Sequence, residues 1–214
     1  MKSDTAIPFC KKCFKRIEMD SFHAFFSSSP TLCHQCYEEL TPIYEKFRVL
    51  GCRAVAVYPY HQAFQSLLYQ FKGCGDIELA SVFLERMIWF LKIRYFSYVI
   101  VPVPSSPQHD EARGFNQVVE VCRTIGLPIS RSITKPFEHK QSDHNKKERE
   151  NVGKFLRFDE KKPVEGKKIL LVDDVYTTGS TVRACIKMLK AHGAKKISVL
   201  LLSRVPPSGR EESG

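Results

Sequence analysis

Hydrophobic and polar residues recur along this chain with two periodicities, one typical of strands and one typical of helices. Residues 53–58 alternate as a half-buried strand does. Residues 61–71 instead place apolar side chains at i, i+3, i+4 and i+7, which predicts an amphipathic helix. The apolar residues of that helix are Phe64, Leu67, Leu68 and Phe71.

The alternation continues to residue 205 and predicts a mostly parallel α/β sheet with helices on both faces. The predicted strands are 98–103, 128–133, 169–172 and 196–203, and the predicted helices are 77–93, 115–125 and 182–190. We predict a loop over residues 104–112 and helical structure over residues 37–47. Residues 135–168 are rich in Lys and Arg and poor in aliphatic residues, which indicates a polar loop with one short strand near Phe155.

One apolar run is followed at once by charged and hydroxyl side chains. Residues 169–181 read ILLVDDVYTTGST, and their four aliphatic residues suit a strand that is buried on both faces. Asp173 and Asp174 stand where that strand is predicted to end, and a turn leads into the next helix. The first N–H groups of a helix are unpaired and lie at the positive end of its dipole, so this turn is a candidate phosphate site.

The side chains of this segment suit a phosphorylated sugar. Gly179 lets the backbone approach a ligand closely, and hydroxyl groups add hydrogen-bond donors. The two carboxylates are placed to accept hydrogen bonds from ribose hydroxyls or to hold a hydrated Mg2+. The joint requirement is for a ribose 5-phosphate, and the plainer alternative is an acidic turn before a capped helix. The turn residues are Thr177, Thr178, Gly179, Ser180 and Thr181.

A second polar cluster follows a strand that ends in two X-Pro units, VPVP at residues 101–104, which predict a rigid exit. Ligands of open α/β sheets bind at the carboxyl ends of the strands, so the next polar residues are expected beside the acidic pair. Arg113 is then placed to clamp diphosphate oxygens, with Asn116 or Gln117 orienting it. An exposed arginine at a helix N-terminus is the alternative.

Eight cysteines are present, and four of them form two C-x2-C pairs with 19 residues between the pairs. Such pairs are typical of a structural zinc site, because four thiolates complete the tetrahedron of the ion. Disulfides or a redox pair are the alternatives to metal, and His23 and His34 are either substitute ligands or surface residues. The predicted ligands are Cys10, Cys13, Cys33 and Cys36. The predicted core thiols are Cys52, Cys74, Cys122 and Cys185.

Composition limits the class of protein. The 214 residues suit a zinc module over residues 1–50, an α/β domain over residues 51–205 and a disordered tail over residues 206–214. The net charge of +10 favours an anionic partner, either a phosphorylated small molecule or a nucleic acid. No apolar stretch is long enough to cross a bilayer, and the first residues lack the apolar region of a secretory signal, so we expect a cytoplasmic protein.

Residues 169–181 resemble the phosphoribosyl diphosphate (PRPP) signature of the type I phosphoribosyltransferases. In that family the acidic pair contacts the ribose 2- and 3-hydroxyls, and the hydroxyl turn holds the 5-phosphate. The resemblance implies the first role for Asp173 and Asp174 and the second for residues 177–181. It also implies the type I phosphoribosyltransferase fold and Mg2+ bound together with PRPP.

Nearly the whole chain resembles the ComF family, which includes GntX-type proteins and is linked in some members to DNA uptake in natural competence. The shared features are the CxxC pairs, a helix that ends in FKxxGD, VPVPxS with RGFNQ, a basic Q…ER-N loop and VDDVxTTGST. The resemblance places Lys72 near the diphosphate, and Gln141, Arg149 and Asn151 on a flexible hood over PRPP. Relatives usually carry basic residues where this chain has QHDEA at residues 108–112.

Several functions are compatible with these features. As an enzyme, the protein would transfer the phosphoribosyl group of PRPP to an unidentified acceptor, with Lys72 and Arg113 stabilising the leaving diphosphate. As a non-enzymatic module, it would sense PRPP or bind single-stranded DNA through its basic loop. A third hypothesis is that the zinc module docks a partner such as a DNA-translocating motor. The predicted DNA contacts are Lys140, Lys146, Lys147 and Arg149, with stacking on Phe137 or Phe155.

Overall fold

The computed structural model describes residues 8–17, 31–136 and 156–206. Some residues with predicted roles lie outside the described part of the chain. They are His23, Phe137, Lys140, Gln141, Lys146, Lys147, Arg149, Asn151, Phe155 and the tail residues 207–214.

Strands and helices alternate through the described residues. The strands are β1 (Glu45–Val49), β2 (Cys52–Pro59), β3 (Tyr98–Pro102), β4 (Ile133–Thr134), β5 (Arg157–Phe158), β6 (Lys168–Tyr176) and β7 (Lys196–Arg204). The α-helices are α1 (His34–Glu39), α2 (Gln62–Gly73), α3 (Ile88–Arg94), α4 (Pro107–Arg113), α5 (Gln117–Ile125) and α6 (Ser180–Ala191).

Five strands form one sheet in the order β1-β2-β7-β6-β3. Strands β2, β7, β6 and β3 are mutually parallel, and β1 runs antiparallel to β2 at one edge. Leu50 and Gly51 join β1 to β2, and both have positive φ (47° and 82°), as a tight two-residue hairpin turn requires. The predicted mostly parallel α/β sheet is confirmed.

Different helices cover the two faces of this sheet. Residues of α2, α3 and α5 pack on one face together with Leu170 and Val172 of β6. Residues of α6 pack on the other face with Ile169 and Leu171. All four of these β6 residues are fully buried, because alternate side chains of a strand point to opposite faces. The apolar run of β6 is therefore continuous instead of alternating.

The predicted helix over residues 77–93 is wrong as far as residue 87. Two 3-10 turns, Ile77–Ser81 and Glu85–Met87, precede α3. Residues 82–84, between these turns, are all buried. Three consecutive side chains of an α-helix point in three directions, so one buried helix face cannot cover them. The chain bends instead, and each of the three side chains reaches the core.

Two segments near the site also differ from prediction. Helix α4 occupies most of the predicted loop 104–112, with Pro107 in its first turn and Gly114 in the left-handed conformation after its end. Strand β6 continues beyond its predicted end at residue 172, because β7 goes on pairing with it as far as Tyr176. The acidic pair therefore lies within the strand.

Smaller differences lie elsewhere. Helical structure was expected over residues 37–47, but α1 ends at Glu39 and β1 follows, since pairing with β2 satisfies its backbone. The strand expected over 128–133 is reduced to a bridge at Ile129 and the short β4. Cys74 is exposed because it caps the end of α2, whereas the other three predicted core thiols are buried. No helix in the described ranges is long and apolar enough to span a bilayer.

Candidate functional site

The two C-x2-C pairs come together in one cluster. The sulfur atoms of Cys10, Cys13, Cys33 and Cys36 all lie within 4.8 Å of one another. The Cys13 and Cys33 sulfurs are 3.7 Å apart. With bonds of about 2.3 Å, the sulfur–sulfur edge of a zinc tetrahedron is about 3.8 Å long. The donor set and its spacing therefore fit one tetrahedral metal ion held by these four residues.

Backbone hydrogen bonds shape the turns that present the thiols. The Phe14 amide donates to the Cys10 carbonyl at 2.8 Å. The Lys11 amide donates to the carbonyl of Thr31, just before the second cysteine pair, also at 2.8 Å. Burial opposes ionisation of Cys10. Hydrogen bonds from backbone N–H groups, of which that of Cys33 contributes most, outweigh burial and lower the pKa of Cys10 to about 7. Burial and neighbouring thiols raise the pKa of Cys36. A cation at the centre would relieve this repulsion between ionised thiols.

The cysteine cluster is packed firmly against the α/β part of the chain. Its buried thiols belong to the same apolar core as α2 and α5. The Lys11 ammonium donates to Glu78 Oε2 at 3.0 Å. The Arg86 guanidinium lies 3.8 Å from the centre of the Tyr37 ring. The two 3-10 turns that replace the predicted helix therefore form the surface on which the cluster docks.

A second candidate site lies at the carboxyl ends of β6 and β3. Asp173 and Asp174 are adjacent residues of β6. The Val103 amide donates to the Val172 carbonyl at 2.8 Å, which holds the exit of β3 beside the acidic pair. The structure thus brings the two polar clusters of the sequence to one edge of the sheet, where open α/β sheets bind their ligands.

Two helices send side chains to Asp174. Lys72, near the end of α2, forms an ion pair with Asp174 Oδ2. Gln117, at the start of α5, donates to the same oxygen at 2.8 Å. Arg113 in turn donates to Gln117 Oε1. Three residues from two parts of the sequence are therefore linked to the acidic pair, and none of the three contacts depends on a ligand.

The carboxylates are close enough to repel each other. Burial first, and then the charge of Asp174, raises the pKa of Asp173. The Asp174 amide donates to Asp173 Oδ1 at 2.9 Å, and the Val175 amide donates to Asp174 Oδ1 at 2.5 Å. Carboxylate oxygens are the donors that Mg2+ prefers, and a cation beside the pair would offset the repulsion that raises the pKa. The acidic pair therefore fits Mg2+.

Asn116 fixes the loop between β3 and α5. Its Oδ1 accepts from the Val119 amide at 2.9 Å and so caps α5. Its Nδ2 donates to Ser105 Oγ at 2.7 Å and to Asp110 Oδ2 at 2.6 Å. A cavity of about 300 Å³ lies beside it, lined by the exit of β3, the start of α5 and residues 131–135. This volume suits a small ligand.

The turn between β6 and α6 has a conformation that depends on glycine. Gly179 has φ of 70°, and a Cβ at this position would lie 2.1 Å from the Tyr176 ring. Thr177 and Thr178 are exposed, and the Thr178 and Ser180 hydroxyls are 3.1 Å apart. The turn thus presents hydroxyl groups at the start of a 12-residue helix, as a phosphate site requires. Thr181 is half-buried in the first turn of that helix.

Arg183 is part of this site, although the sequence did not indicate it. Its guanidinium donates to the Thr178 carbonyl at 2.7 Å and to the Tyr176 hydroxyl at 3.2 Å. Arg183 therefore holds the turn from the side of α6. A basic residue in the first turns of a helix usually indicates only an exposed charge, so no signal in the sequence identified it.

Comparisons with known proteins assign the family. A family model described as "Phosphoribosyl transferase domain" matches residues 117–213. The chain is 36% identical over 156 residues to Competence protein ComFC of Streptococcus pneumoniae, covering 72% of this chain and 70% of that protein. The chain belongs to the ComF family. Another ComF-family relative, Competence protein ComFC of Bacillus subtilis, is 30% identical over 177 residues, covering 81% of this chain and 72% of that protein.

A further relative of this ComF-family chain is DNA utilization protein YhgH of Escherichia coli, with 28% identity over 71% of this chain and 72% of that protein. Among solved structures, a hypoxanthine-guanine phosphoribosyltransferase of Bacillus anthracis aligns with 16% identity and a TM-score of 0.42, covering 65% of this chain and 75% of that chain. The family match and the sheet topology together give a type I phosphoribosyltransferase-like fold with four clustered N-terminal cysteines.

Proposed function

We propose that this ComF-family protein binds PRPP together with Mg2+ at residues 173–181. One observation carries the proposal: the paired carboxylates stand directly before a glycine-dependent turn that presents hydroxyls at a helix N-terminus. In this proposal the carboxylates accept hydrogen bonds from the ribose hydroxyls, and the turn binds the 5-phosphate. The cavity of about 300 Å³ beside Asn116, which is lined by other residues, is the proposed place for an acceptor.

The proposed reaction is transfer of the phosphoribosyl group. The bond between the anomeric carbon and the diphosphate oxygen breaks, and diphosphate leaves with the electron pair. The acceptor then forms a bond to the anomeric carbon from the opposite face and loses a proton. Mg2+, when bound, would neutralise charge on the diphosphate. Lys72 and Arg113 would add positive charge there, with Lys72 exchanging its contact with Asp174 for phosphate oxygens.

The cysteine cluster is proposed to hold a structural Zn2+. Four thiolates fill the tetrahedron and leave no open position for a substrate, so the ion would stabilise the fold without taking part in chemistry. The names of the relatives, competence proteins and a DNA utilization protein, support a role in the handling of DNA during competence. A DNA-translocating motor remains the proposed partner of the cysteine cluster.

Single-stranded DNA is the second candidate ligand. The net charge of +10 supports it, because contacts with phosphates supply most of the affinity of sequence-independent binding. In this alternative the protein binds PRPP as a signal and does not turn it over. The basic loop would then serve both ligands, so we expect PRPP with Mg2+ to compete with DNA.

Isothermal titration calorimetry tests the PRPP site. We expect binding that strengthens with Mg2+ and is lost in the double variant Asp173→Asn, Asp174→Asn. Thr178→Ala should weaken binding by about 1.5–3 kcal/mol, the range for a hydrogen bond to a charged group. Asp159→Asn is the matched control, since this carboxylate pairs with Lys162 away from the acidic pair. Unchanged affinity in the double variant would reject the site, and equal affinity without Mg2+ would reject only the role of the metal.

Fluorescence anisotropy with a labelled oligonucleotide tests the second candidate. The affinity should fall with salt, with a logarithmic slope of about −0.7 for each phosphate neutralised on a single strand. Saturating PRPP and Mg2+ should displace the oligonucleotide. Absence of binding at low salt would leave the small-molecule transferase as the function. Binding that ignores PRPP would move the DNA surface away from the basic loop.

A further inference from the structure

Helix α3 and the residues after it expose an unusual amount of apolar surface. Trp89 is 76% exposed, Phe90 60%, Ile93 74% and Phe96 77%. In contrast, Leu91 is the one residue of α3 that is buried. Large apolar side chains exposed singly are ordinary in proteins, but four within eight residues form a patch of the kind that marks an interaction site. We call these four residues the α3 patch.

The spacing of the patch follows the helix. Trp89 and Ile93 are at positions i and i+4, so they lie on one side of α3, and Phe90 flanks them. Phe96 lies two residues beyond the end of the helix. The helix packs its opposite side on the core through Leu91, and Tyr95 just after it is also buried. The apolar residues of α3 therefore lie on two faces of the helix. One face packs on the core of the protein, and the other is exposed.

Positive charges surround the α3 patch. Lys92 and Arg94 lie on α3 itself. Lys168, at the start of β6, donates to Ser97 Oγ at 3.3 Å, and Ser97 directly follows Phe96 in the sequence. Lys168 is also paired with Lys196 of the neighbouring strand β7. Lys167 precedes the first of these lysines in the sequence, and Lys195 precedes the second. Among the described residues, none of these six cations forms an ion pair with a carboxylate.

The geometry points to an anionic lipid bilayer as the partner of this surface. We propose that the α3 patch inserts its side chains among the lipids while the flanking lysines and Arg94 contact the acidic headgroups. Trp and Phe with basic neighbours are the composition of helices that lie on a membrane without crossing it. Each cation near an anionic surface adds to the attraction.

Other partners fit these observations less well. A second copy of the chain would bring six cations against six cations, which disfavours a symmetric contact. Single-stranded DNA would account for the charges and the aromatic rings, but bases stack on aromatic rings, and Ile93 at 74% exposure offers none. A hydrocarbon environment accounts for the aliphatic and the aromatic residues together.

The position of the surface leaves the acidic site free. Lys168 and Lys196 are the first residues of β6 and β7. Asp173, Asp174 and the turn at residues 177–181 lie towards the other end of β6. The eight residue steps of β6 from Lys168 to Tyr176 span about 26 Å. Docking through the α3 patch would therefore turn the candidate ligand site away from the bilayer.

The chain carries its own probe of this contact. Trp89 is the single tryptophan in the sequence, so the intrinsic fluorescence of the protein reports directly on the patch. The probe ligands are vesicles of phosphatidylcholine, with or without one third phosphatidylglycerol. With the anionic vesicles we expect a blue shift of the emission and protection from acrylamide quenching. We expect binding to neutral vesicles to be at least about tenfold weaker.

Variants separate the two components of the contact. The triple variant Phe90→Ser, Ile93→Ser, Phe96→Ser keeps Trp89 as the probe and should weaken vesicle binding by about a hundredfold. Replacing the four lysines of the sheet end (Lys167, Lys168, Lys195 and Lys196) by Gln should remove the preference for phosphatidylglycerol. Tyr69→Ser with Ile77→Ser is the matched control, because it removes exposed apolar surface elsewhere and should leave binding unchanged.

Several outcomes would overturn the proposal. One is an emission spectrum that anionic vesicles do not change, and another is equal binding by the triple variant with its circular dichroism intact. Quenching of Trp89 by an oligonucleotide, with no effect of vesicles, would assign the surface to nucleic acid. PRPP binding by the triple variant should be normal, so failure here is distinct from failure of the proposed function.

Discussion

The cysteine cluster and the acidic site both place like ionisable groups close together, but these groups are held in different ways. In the cluster, four thiols face one another and repel once they are ionised. In the acidic site, Asp174 already has Lys72 and Gln117 as partners. We therefore expect the cluster to depend on a bound ion for its stability, whereas contacts within the protein already hold the acidic site.

Removing the metal should produce the largest effect and tests the first half of this comparison. Structural zinc contributes about 10–16 kcal/mol of apparent binding free energy in small zinc modules. We expect the purified protein to carry about one Zn2+ per chain. Cys33→Ser should lose the ion and unfold residues 8–17 and 31–40, as measured by elemental analysis and hydrogen exchange. Cys74→Ser, which removes an exposed cysteine outside the cluster, is the control. Protein grown with zinc available but free of it would contradict this prediction.

The next largest effect is expected at Gly179, where the backbone next to the acidic pair has no room for a side chain. A left-handed conformation costs an alanine about 1–2 kcal/mol, and the Tyr176 ring would have to move as well. Gly179→Ala should therefore lower the unfolding free energy by more than Gly166→Ala in urea denaturation. Gly166 has φ of 67° and open space around its Cβ position, so it isolates the cost of the conformation. Equal losses in the two variants would show that the ring does not constrain the turn.

Arg183 tests whether the turn at residues 177–181, which we propose binds the 5-phosphate, is held in place before the ligand binds. Arg183→Met should weaken PRPP binding by about tenfold, since it removes a charge-assisted hydrogen bond of about 1.5–3 kcal/mol from the turn. Arg183→Lys should restore part of the affinity. Lys187→Met is the control, because Lys187 lies one turn further along α6 and is exposed. The same loss in both Met variants would mean that only the net charge of the helix matters.

The smallest expected effect concerns Asp173 in the protein without ligand or metal. Because its pKa is raised in the folded state, the ionised pair destabilises the fold. That loss of stability is absent at low pH. It grows as the pH rises from about 3.9, the ordinary pKa of an aspartate, to the raised pKa of Asp173 in the folded protein. Asp173→Asn should therefore raise the melting temperature at neutral pH more than in acid. A stabilisation of about 1 kcal/mol corresponds to about 2–4 °C, and an equal shift at both pH values would refute the assignment.

Much of the fold follows from local patterns in the sequence. The continuous apolar run at residues 169–172 indicated a strand buried on both faces, and the spacing over residues 61–71 indicated α2. The two C-x2-C pairs indicated a cluster of four thiols. These features are predictable because each depends on residues close together in the sequence and on one physical requirement, burial or coordination.

Features that depend on tertiary packing could not be predicted in this way. The bend over residues 82–84 arises because three adjacent side chains all reach the core. The contact between Lys72 and Asp174 joins residues about a hundred positions apart. Arg183 contributes through a backbone carbonyl and a tyrosine hydroxyl, partners that no spacing rule reveals. The predicted helix over residues 77–93 carried no pattern that separates the exposed apolar residues of α3 from its buried one.

The pairing of β2 with β7 has a consequence for how the chain assembles during synthesis. These strands are neighbours in the sheet, yet Ala56 pairs with Leu201 across most of the chain. One edge of β2 must stay open until β7 has been made, while β1 can cover the other edge as soon as the hairpin forms. An open strand edge invites aggregation. A nascent chain that binds metal early at the four clustered cysteines would have the turns that carry them already ordered before β7 is synthesised.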